Sequence, residues 1–209
     1  MDNNITLRTT MCYGSCCCRH KNCFCRWFLK LTTVNDRIDI FDFMTSNWKT
    51  AILSQARGFL TATAVGSKVI IAGGMTSDNQ PTNRVDIYDV ETDSWTISTL
   101  SLARAFTENA ATACGKAFFA GGGRINLTNQ RWETASDVID IYDPQTGKWT
   151  VEKLSKPRFN YNVASTNNQV FIVGGANLTN ALNTMEIYTC LSTNLNKVLP
   201  EANSFKLYP

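Results

Sequence analysis

The sequence is poor in histidine, in charge and in long apolar runs. Its only histidine is His20, and charged residues make up 18% of the chain, below the usual quarter. No segment approaches the roughly 18 uninterrupted apolar residues that a membrane-spanning helix needs. The N-terminal residues also lack the basic and then apolar layout of a secretory signal. We therefore expect a protein without a membrane span that is located in the cytoplasm.

The positive net charge is concentrated at the N-terminus. The formal charge of the whole chain is +3, but residues 1–34 carry five positive charges and one negative charge. The remaining residues therefore have a net charge of −1. A near-neutral body has no basic stripe to neutralise phosphates, so nucleic-acid binding is not expected.

The sequence repeats itself with a period near fifty residues. A tryptophan, a Leu-Ser-x-Ala/Pro-Arg block, two apolar runs of which the second ends in Gly-Gly, and an acidic-aromatic run follow one another in the same order. Self-similarity of this length indicates a repeat architecture. The repeated elements are Trp48, Trp95 and Trp149; Arg57, Arg104 and Arg158; Gly73-Gly74, Gly121-Gly122 and Gly174-Gly175; and residues 38–42, 85–89, 139–143 and 185–189.

Each repeat predicts four short β-strands, A to D. Apolar residues alternate with small or polar residues over four short runs, as they do in half-buried strands. Residues with turn chemistry separate A from B and C from D. In the best-preserved repeat, strand A is predicted near 59–65, B at 68–72, C at 84–89 and D near 94–98.

This repeat resembles the kelch motif. The order of arginine, apolar runs ending in Gly-Gly, Val-x-x-Tyr-Asp and tryptophan carries the resemblance, which covers residues 36–198. The third copy has Thr189 in place of the aspartate and Leu195 at the tryptophan offset. The resemblance implies an all-β fold, a partial kelch-type β-propeller with about three four-stranded antiparallel blades plus strands of a preceding one. The expected division is a poorly ordered, cysteine-rich basic leader (1–34), a propeller segment (35–200) and a C-terminal tail (201–209).

The predicted strand order places two sets of loops on one face. In an up-and-down sheet of four strands, the A–B and C–D turns lie at one end. The B–C loop lies at the other end, together with the D–A connection to the next blade. The arginine-containing segments and the loops after the double glycines must therefore share a face. Because binding residues often sit on loops held by a rigid scaffold, this face is the predicted functional surface.

The B–C loop of the second repeat, residues 123–136, is six residues longer than the loop of the preceding repeat. Insertions in single repeats map to loops, often on the binding face. Arginine and tryptophan are enriched in interface hot spots, so we expect Arg124, Arg131 and Trp132 to bind a partner. The alternative is a surface elaboration whose Trp132 folds back onto its own blade.

The three repeated arginines have two interpretations. They could form a ring of donors near the propeller axis, suited to carboxylates. Alternatively, each could tie down its own inter-blade connection by bonding backbone carbonyls. In kelch domains resembling this one, residues just after this arginine often reach the rim of the central funnel, and here they are apolar. The further partner-binding candidates are therefore Arg57, Arg104, Arg158, Phe59, Phe106, Phe159 and Tyr161.

The sequence favours a non-catalytic module that presents its B–C and D–A loops to a protein partner and needs no cofactor. The alternative is a sugar-acting, mutarotase-like enzyme on a kelch propeller, which would need an acidic group on an inner strand. Glu108 is the single catalytic candidate of this kind. A copper enzyme resembling galactose oxidase is excluded, because the only histidine lies outside the repeats.

Three repeats and part of a fourth are too few for a closed ring, since propellers close with four to eight blades. The open arc would expose strand edges, which are templates for association. We therefore expect isolated chains to self-associate through these edges, unless the segment belongs to a longer propeller.

Six of the eight cysteines fall within residues 12–25. They could ligate zinc, although no pair of ordinary Cys-x2–4-Cys knuckles is present, or they could be acylated. A leader unrelated to the propeller is the third interpretation. Cys114 and Cys190 are predicted to be small buried core residues, and the glycosylation sequons at Asn126 and Asn177 would matter only on the secretory route. The metal candidates are Cys12, Cys16, Cys17, Cys18, Cys23 and Cys25.

Overall fold

Antiparallel β-sheets make up all the regular structure of the described residues. Among these residues, no helix has the length and apolar character needed to cross a membrane. The computed structural model describes residues 23–26, 34–42, 46–106, 110–129, 131–190 and 197–199, with the backbone alone for 23–26, 41–42 and 197–199.

The sheets follow one another along the chain. The first sheet has three strands, and the next three sheets, here called blades 1, 2 and 3, have four strands each. The first sheet contains β1 (Cys23–Arg26), β2 (Asn35–Asp42) and β3 (Asn47–Arg57). Blade 1 contains β4 (Thr61–Val65), β5 (Lys68–Ala72), β6 (Arg84–Asp89) and β7 (Ser94–Thr99). Blade 2 contains β8 (Ala111–Ala113), β9 (Lys116–Ala120), β12 (Val138–Asp143) and β13 (Lys148–Lys153). The loop between β9 and β12, which is the B–C loop of blade 2, forms a separate hairpin of β10 (Ile125–Asn126) and β11 (Arg131–Trp132). Blade 3 contains β14 (Asn162–Ser165), β15 (Gln169–Val173), β16 (Met185–Thr189) and β17 (Lys197–Leu199).

Each blade is an up-and-down meander, as the repeat predicts. Strands A, B, C and D are hydrogen-bonded in that order in all three blades. In blade 1 the predicted strands B and C match β5 and β6 residue for residue. Strand A begins two residues later than predicted, at Thr61, and strand D ends one residue later, at Thr99.

The core consists of three apolar layers between successive sheets. Because side chains alternate between the two faces of a strand, each of the inner blades packs one face on the preceding sheet and the other on the following one. This stacking confirms the predicted partial propeller. Ile38, Ile40 and Leu53 of the first sheet meet Val69 and Ile71 of blade 1; Ile70, Val85 and Ile87 of blade 1 meet Phe106 and Phe119; and Phe118, Ile139 and Ile141 of blade 2 meet Val170 and Ile172 of blade 3.

A disulfide joins blades 2 and 3. Cys114 lies in the A–B turn of blade 2 and Cys190 directly follows strand C of blade 3, with 5.9 Å between their Cα atoms. The prediction that both are small buried core residues is therefore wrong, since they are partly exposed and bonded to each other. Nothing local in the sequence relates them, because 76 residues separate them. Disulfides persist mainly in oxidising compartments, so this pair does not support the expected cytoplasmic location.

Removing this disulfide is expected to loosen blade 3. The Cys114→Ser, Cys190→Ser double variant should lower the free energy of unfolding by about 2–4 kcal/mol, because the cross-link restricts the unfolded chain. Hydrogen exchange should also become faster in β14, β15 and β16. A reducing agent should act in the same way on the unchanged protein and have no effect on the double variant. Equal exchange with and without the cross-link would contradict the prediction.

Candidate interaction surface

The arginine-containing connections and the loops after the double glycines share one face, as the strand order predicts. In each blade, the residue after the arginine pairs with the residue after the double glycine. In blade 1, the N–H of Gly58 donates to Met75 O at 2.9 Å and the N–H of Met75 donates to Gly58 O at 2.7 Å. We call this side of the molecule the double-glycine face. The equivalent pairs are Ala105–Gly123 in blade 2 and Phe159–Ala176 in blade 3.

The three repeated arginines are buried beneath this face rather than displayed on it. Their exposed fractions are at most 2%, and each guanidinium contacts a carboxylate on strand C of the blade that follows the arginine in the chain. We call these three pairs the arginine clamps. They are Arg57–Asp86 and Arg104–Asp140, each with an N–O distance of 2.7 Å, and Arg158–Glu186.

Each clamp also fixes the connection between two blades. In blade 2, Asp140 Oδ1 accepts a hydrogen bond of 3.0 Å from the N–H of Ser101, which lies in the connection. Arg104 donates to the carbonyl of Phe119 on strand B at 3.0 Å and to the carbonyl of Leu102 at 3.1 Å. The clamp therefore ties the incoming connection to strands B and C of the following blade. Ser54 and Ser155 make the same bond to Asp86 and Glu186.

Burial lowers the pKa of each clamp arginine but does not remove its charge. Desolvation lowers the pKa of Arg104 because it disfavours the charged guanidinium, and the negative charge of Asp140 opposes this. The same two effects act on Arg57 beside Asp86, and on Arg158. A guanidinium stays protonated in proteins, so each pair consists of two compensating charges. The clamps therefore offer no free charge to a ligand.

This placement corrects the prediction that Arg57, Arg104 and Arg158 contact a partner. The structure gives them the other role that the sequence left open, in which each arginine bonds backbone carbonyls and holds its own connection. Their side chains lie where a partner has no access.

The aromatic residues after the arginines are also mostly internal. Phe106, Phe159 and Tyr161 are buried, and the hydroxyl of Tyr161 donates to Ala120 O at 2.5 Å. These three residues pack between blades and beneath loops, which corrects their assignment as direct partner contacts. Phe59 remains partly exposed beside the cluster of Met75, Ala105 and Ile125.

The inserted loop of blade 2 links the loops of all three blades. Trp132 of β11 stacks on Phe159 in the connection to blade 3, with ring centroids 4.5 Å apart and planes 9° apart. On the other side, the N–H of Leu127 donates to Asn79 Oδ1 at 2.8 Å, and Arg124 donates to Asn79 O at 3.4 Å. Asn79 belongs to the B–C loop of blade 1. Trp132 therefore packs both on Ile125 of its own hairpin and on the connection into blade 3. Because Phe159 in that connection pairs with Ala176 of the next B–C loop, the three B–C loops form one continuous surface.

The outer side of this surface is largely polar, with one exposed leucine. Arg131 is exposed beside the stacked Trp132, whereas Arg124 forms an ion pair of 2.9 Å with Glu133. Leu178, in the B–C loop of blade 3, is 54% exposed. Exposed side chains of the three loops include Ser77, Asp78, Gln80, Thr128, Asn129, Arg131, Glu133, Thr134, Leu178, Thr179 and Asn180.

A cavity of about 820 Å³ lies at the opposite end of the blades. It is lined by the A–B turns of the three blades, including Ser67, Cys114 and Asn167, and by a C–D turn. Among the described residues that line it, the only charged one is Lys68, which pairs with Asp89 at 2.9 Å. Because insertions in single repeats often mark the binding face, and the inserted hairpin of blade 2 lies on the double-glycine face, we place the candidate site there instead.

Several candidate residues from the sequence lie outside the described side chains. Glu108 lies outside the described residues, as do Cys12, Cys16, Cys17 and Cys18. Cys23 and Cys25 belong to β1, for which only the backbone is described. Within the part of the chain that the structure describes, no three His, Cys, Asp or Glu side chains are grouped as a metal ion requires.

Sequence reasoning missed the acidic half of the clamps. The signal was present in the sequence, because an acidic residue recurs at the second position of each Val-Asp-Ile-Tyr-like strand. One such acidic residue follows each repeated arginine. An acid that recurs within a buried strand requires a partner, since an unpaired buried charge is costly. The residues are Asp86, Asp140 and Glu186, which are all buried.

Comparison with known proteins agrees with this architecture. Residues 56–99 match the family described as Kelch motif. No curated protein matches the sequence. The solved structure titled "Structure of YjhT", a kelch-type propeller, superposes with a TM-score of 0.60 at 20% sequence identity. The match covers 79% of this chain and 52% of that one, so the chain spans about half the length of the solved structure. The chain therefore carries a kelch motif and folds as part of a kelch-type β-propeller.

The double glycines allow the connections to approach the sheet backbone closely. Gly122 has a φ of +81°, and a Cβ atom added there would lie 2.3 Å from the carbonyl oxygen of Ala105. Its N–H donates to Arg158 O at 2.9 Å, so the same residue also contacts the next connection. Only glycine combines this conformation with such a close contact.

Breaking one clamp should destabilise the fold strongly. Asp140→Asn leaves Arg104 charged and buried without its counter-charge, which is expected to cost about 3–5 kcal/mol of unfolding free energy in urea denaturation. Asp143→Asn, on the same strand, is the control, because Asp143 is paired with Lys116 at the surface. The urea midpoint of the control should stay close to that of the unchanged protein. Similar midpoints for both variants would contradict the structural role of the clamp.

Two glycine substitutions should differ in their effect on stability. Gly147→Ala places a side chain at a φ of +69° with no atom within 4 Å, and should cost about 1–2 kcal/mol. Gly122→Ala adds a backbone clash to the same conformational cost, and should lose roughly 1–3 kcal/mol more. Thermal or urea unfolding of the two variants measures the difference. Equal losses would show that the connection does not approach Gly122 closely.

Proposed function

We propose that this chain is a non-catalytic protein-binding module that presents the loops of its double-glycine face to a partner protein. The observation that carries the proposal is the continuous surface formed by the B–C loops of three successive blades. Asn79 joins the loop of blade 1 to the inserted hairpin, and Trp132 joins the hairpin to the connection into blade 3.

The clamps provide the rigidity that recognition requires. Binding loses less free energy to ordering when the contact surface is already fixed in the free protein. Here each connection is fastened to a buried ion pair, and the aromatic stack of Trp132 on Phe159 holds the longest loop against its neighbour. The exposed residues on this fixed framework, above all Arg131 and Leu178, supply a cation and an apolar contact within one surface.

The chemistry of the described loop residues favours binding over catalysis. Catalytic acids and bases are usually enclosed groups with perturbed pKa values. In the B–C loops, Asp78 and Arg131 are exposed, and Arg124 and Glu133 pair with each other. Asp137 pairs with Lys153 at 3.1 Å. These groups suit polar contacts at the rim of an interface.

Binding should depend on Arg131 and Leu178. Peptides selected from a random-sequence library against the unchanged chain serve as the probe, and their affinity can be measured by fluorescence polarisation. Arg131→Ala and Leu178→Ala should each weaken the selected peptides by roughly fivefold or more, as hot-spot truncations do.

Matched controls lie away from the double-glycine face. Lys148→Ala removes an exposed cation at the start of strand D, and Val151→Ala removes an apolar side chain that is 51% exposed, close to the 54% of Leu178. Neither should change the affinity. The proposal fails if no peptide is selected, or if the controls weaken binding as much as the loop variants do.

A further inference from the structure

We propose that Asn177 is an N-glycosylation site and that this chain matures on the secretory route. Asn177 lies at the tip of the B–C loop of blade 3, on the double-glycine face. The modification goes beyond the proposed function, because it is detected by mass and does not require a partner protein.

The tetrapeptide Asn-Leu-Thr-Asn occurs in the B–C loops of two successive blades. The copies are residues 126–129 in blade 2 and 177–180 in blade 3. Each contains the Asn-x-Thr sequon that N-glycosylation requires. In both copies the side-chain oxygen of the first asparagine accepts hydrogen bonds from the backbone N–H groups two and three residues later. The two loops therefore present the same sequon in the same kind of turn.

The turn in blade 3 directs the amide nitrogen of Asn177 away from the loop. Three donors converge on Oδ1 of Asn177, namely the N–H and the hydroxyl of Thr179, both at 2.9 Å, and the N–H of Asn180 at 2.8 Å. Because the amide turns its oxygen to these donors, its nitrogen must point elsewhere. Among the described residues, Nδ2 of Asn177 has no hydrogen-bond partner. The nitrogen that would carry a glycan is therefore available.

The surroundings of Asn177 leave room for a glycan. Residues 178–180 are exposed, and Asn177 itself is partly exposed. Ala176 pairs with Ala181 at the base of the loop, so the sequon forms the tip of a short hairpin. A glycan is bulky and belongs at the surface, where it can extend into solvent. The tip of this loop meets that condition.

The copy of the motif in blade 2 differs in its amide nitrogen. Nδ2 of Asn126 donates to Glu133 Oε1 at 2.9 Å, and Glu133 also pairs with Arg124. A glycan on Asn126 would replace one of the two hydrogens of this nitrogen and crowd the inserted hairpin. The available nitrogen therefore distinguishes Asn177 from Asn126.

The disulfide between Cys114 and Cys190 indicates an oxidising compartment. The distance of 5.9 Å between their Cα atoms is ordinary for a disulfide. Disulfides form in the lumen of the endoplasmic reticulum and are rare in the cytosol. N-glycans are found on surface loops of proteins that pass through the same route. The disulfide and the sequon are separate features of the chain, and both favour this route.

The modification uses a lipid diphosphate-linked oligosaccharide as its second substrate. Nδ2 of Asn177 attacks C1 of the first sugar, and a bond between nitrogen and C1 forms while the bond from C1 to the diphosphate oxygen breaks. The nitrogen loses one proton, and the lipid diphosphate leaves with the bonding electrons, so nothing is oxidised or reduced. A glycan on this nitrogen would stand beside Leu178 and limit how closely a partner approaches that end of the double-glycine face.

Mass spectrometry of the protein captured from the cells that produce it tests the assignment. Peptide-N-glycosidase in heavy-oxygen water converts a glycosylated asparagine into an aspartate that carries the heavy oxygen. Asn177 should carry this label, and without reduction Cys114 and Cys190 should be recovered in one disulfide-linked peptide. An unlabelled Asn177, or free thiols at both cysteines, would overturn the proposal.

Variants separate the glycan from the turn that holds it. The full chain is directed into the secretory pathway of cultured eukaryotic cells by a cleavable signal peptide. Asn177→Asp keeps an acceptor oxygen for the turn but has no amide nitrogen, so it should lose one enzyme-sensitive mass shift and keep the β-sheet circular dichroism spectrum. Thr179→Ala should lose the same shift, whereas Thr179→Ser, which preserves the sequon, should retain it.

Asn180→Gln is the matched control, because Asn180 is an exposed asparagine of the same loop that begins no sequon. Its mass shift should equal that of the unchanged chain. A shift that survives both Asn177→Asp and Thr179→Ala would show that Asn177 carries no glycan, and the assignment would be wrong.

Discussion

A carboxylate buried between strands sets the arrangement of this chain. An ionised side chain in the interior is tolerated only where it is paired and hydrogen-bonded. Asp140 therefore requires both the guanidinium of Arg104 and the N–H of Ser101, which approach it from the connection between two blades. A shift of the strand by one residue would turn the acid to the other face and leave it unpaired. Each clamp thus specifies the strand register and the path of the connection together.

The rest of the architecture follows from where the clamps hold the chain. The connections are held at the end of the blades that also carries the B–C loops, so the longest loop can reach its neighbours on both sides. Glycine at position 122 is required because the fastened connection passes within contact distance of the sheet backbone. Blade 3 differs from the others in having glutamate in its clamp and a disulfide to blade 2. The cross-link secures the blade that lacks a following sheet among the described residues.

The repetition in the sequence was sufficient to predict the fold and the shared face. The periodic tryptophan, arginine and double glycine identify the blade. The alternation of apolar with small or polar residues predicts the observed bounds of β5 and β6. The same pattern could not predict whether the arginines are buried or exposed. A repeated arginine is equally compatible with a ring of donors at the surface and with the same internal hydrogen bonds made in every repeat. The stack of Trp132 on Phe159 and the pairing of Cys114 with Cys190 depend on how neighbouring blades are juxtaposed, which no local pattern contains.

Residue-resolved amide hydrogen exchange tests the central claim most directly. Ser101 and Ser155 lie outside the strands and are exposed residues, yet their N–H groups donate to the buried carboxylates of Asp140 and Glu186. The clamps predict that these two amides exchange as slowly as those of the central strands. Exchange at the rate of open loops would show that the carboxylates do not hold the connections, and the account of how the blades are fixed would be wrong.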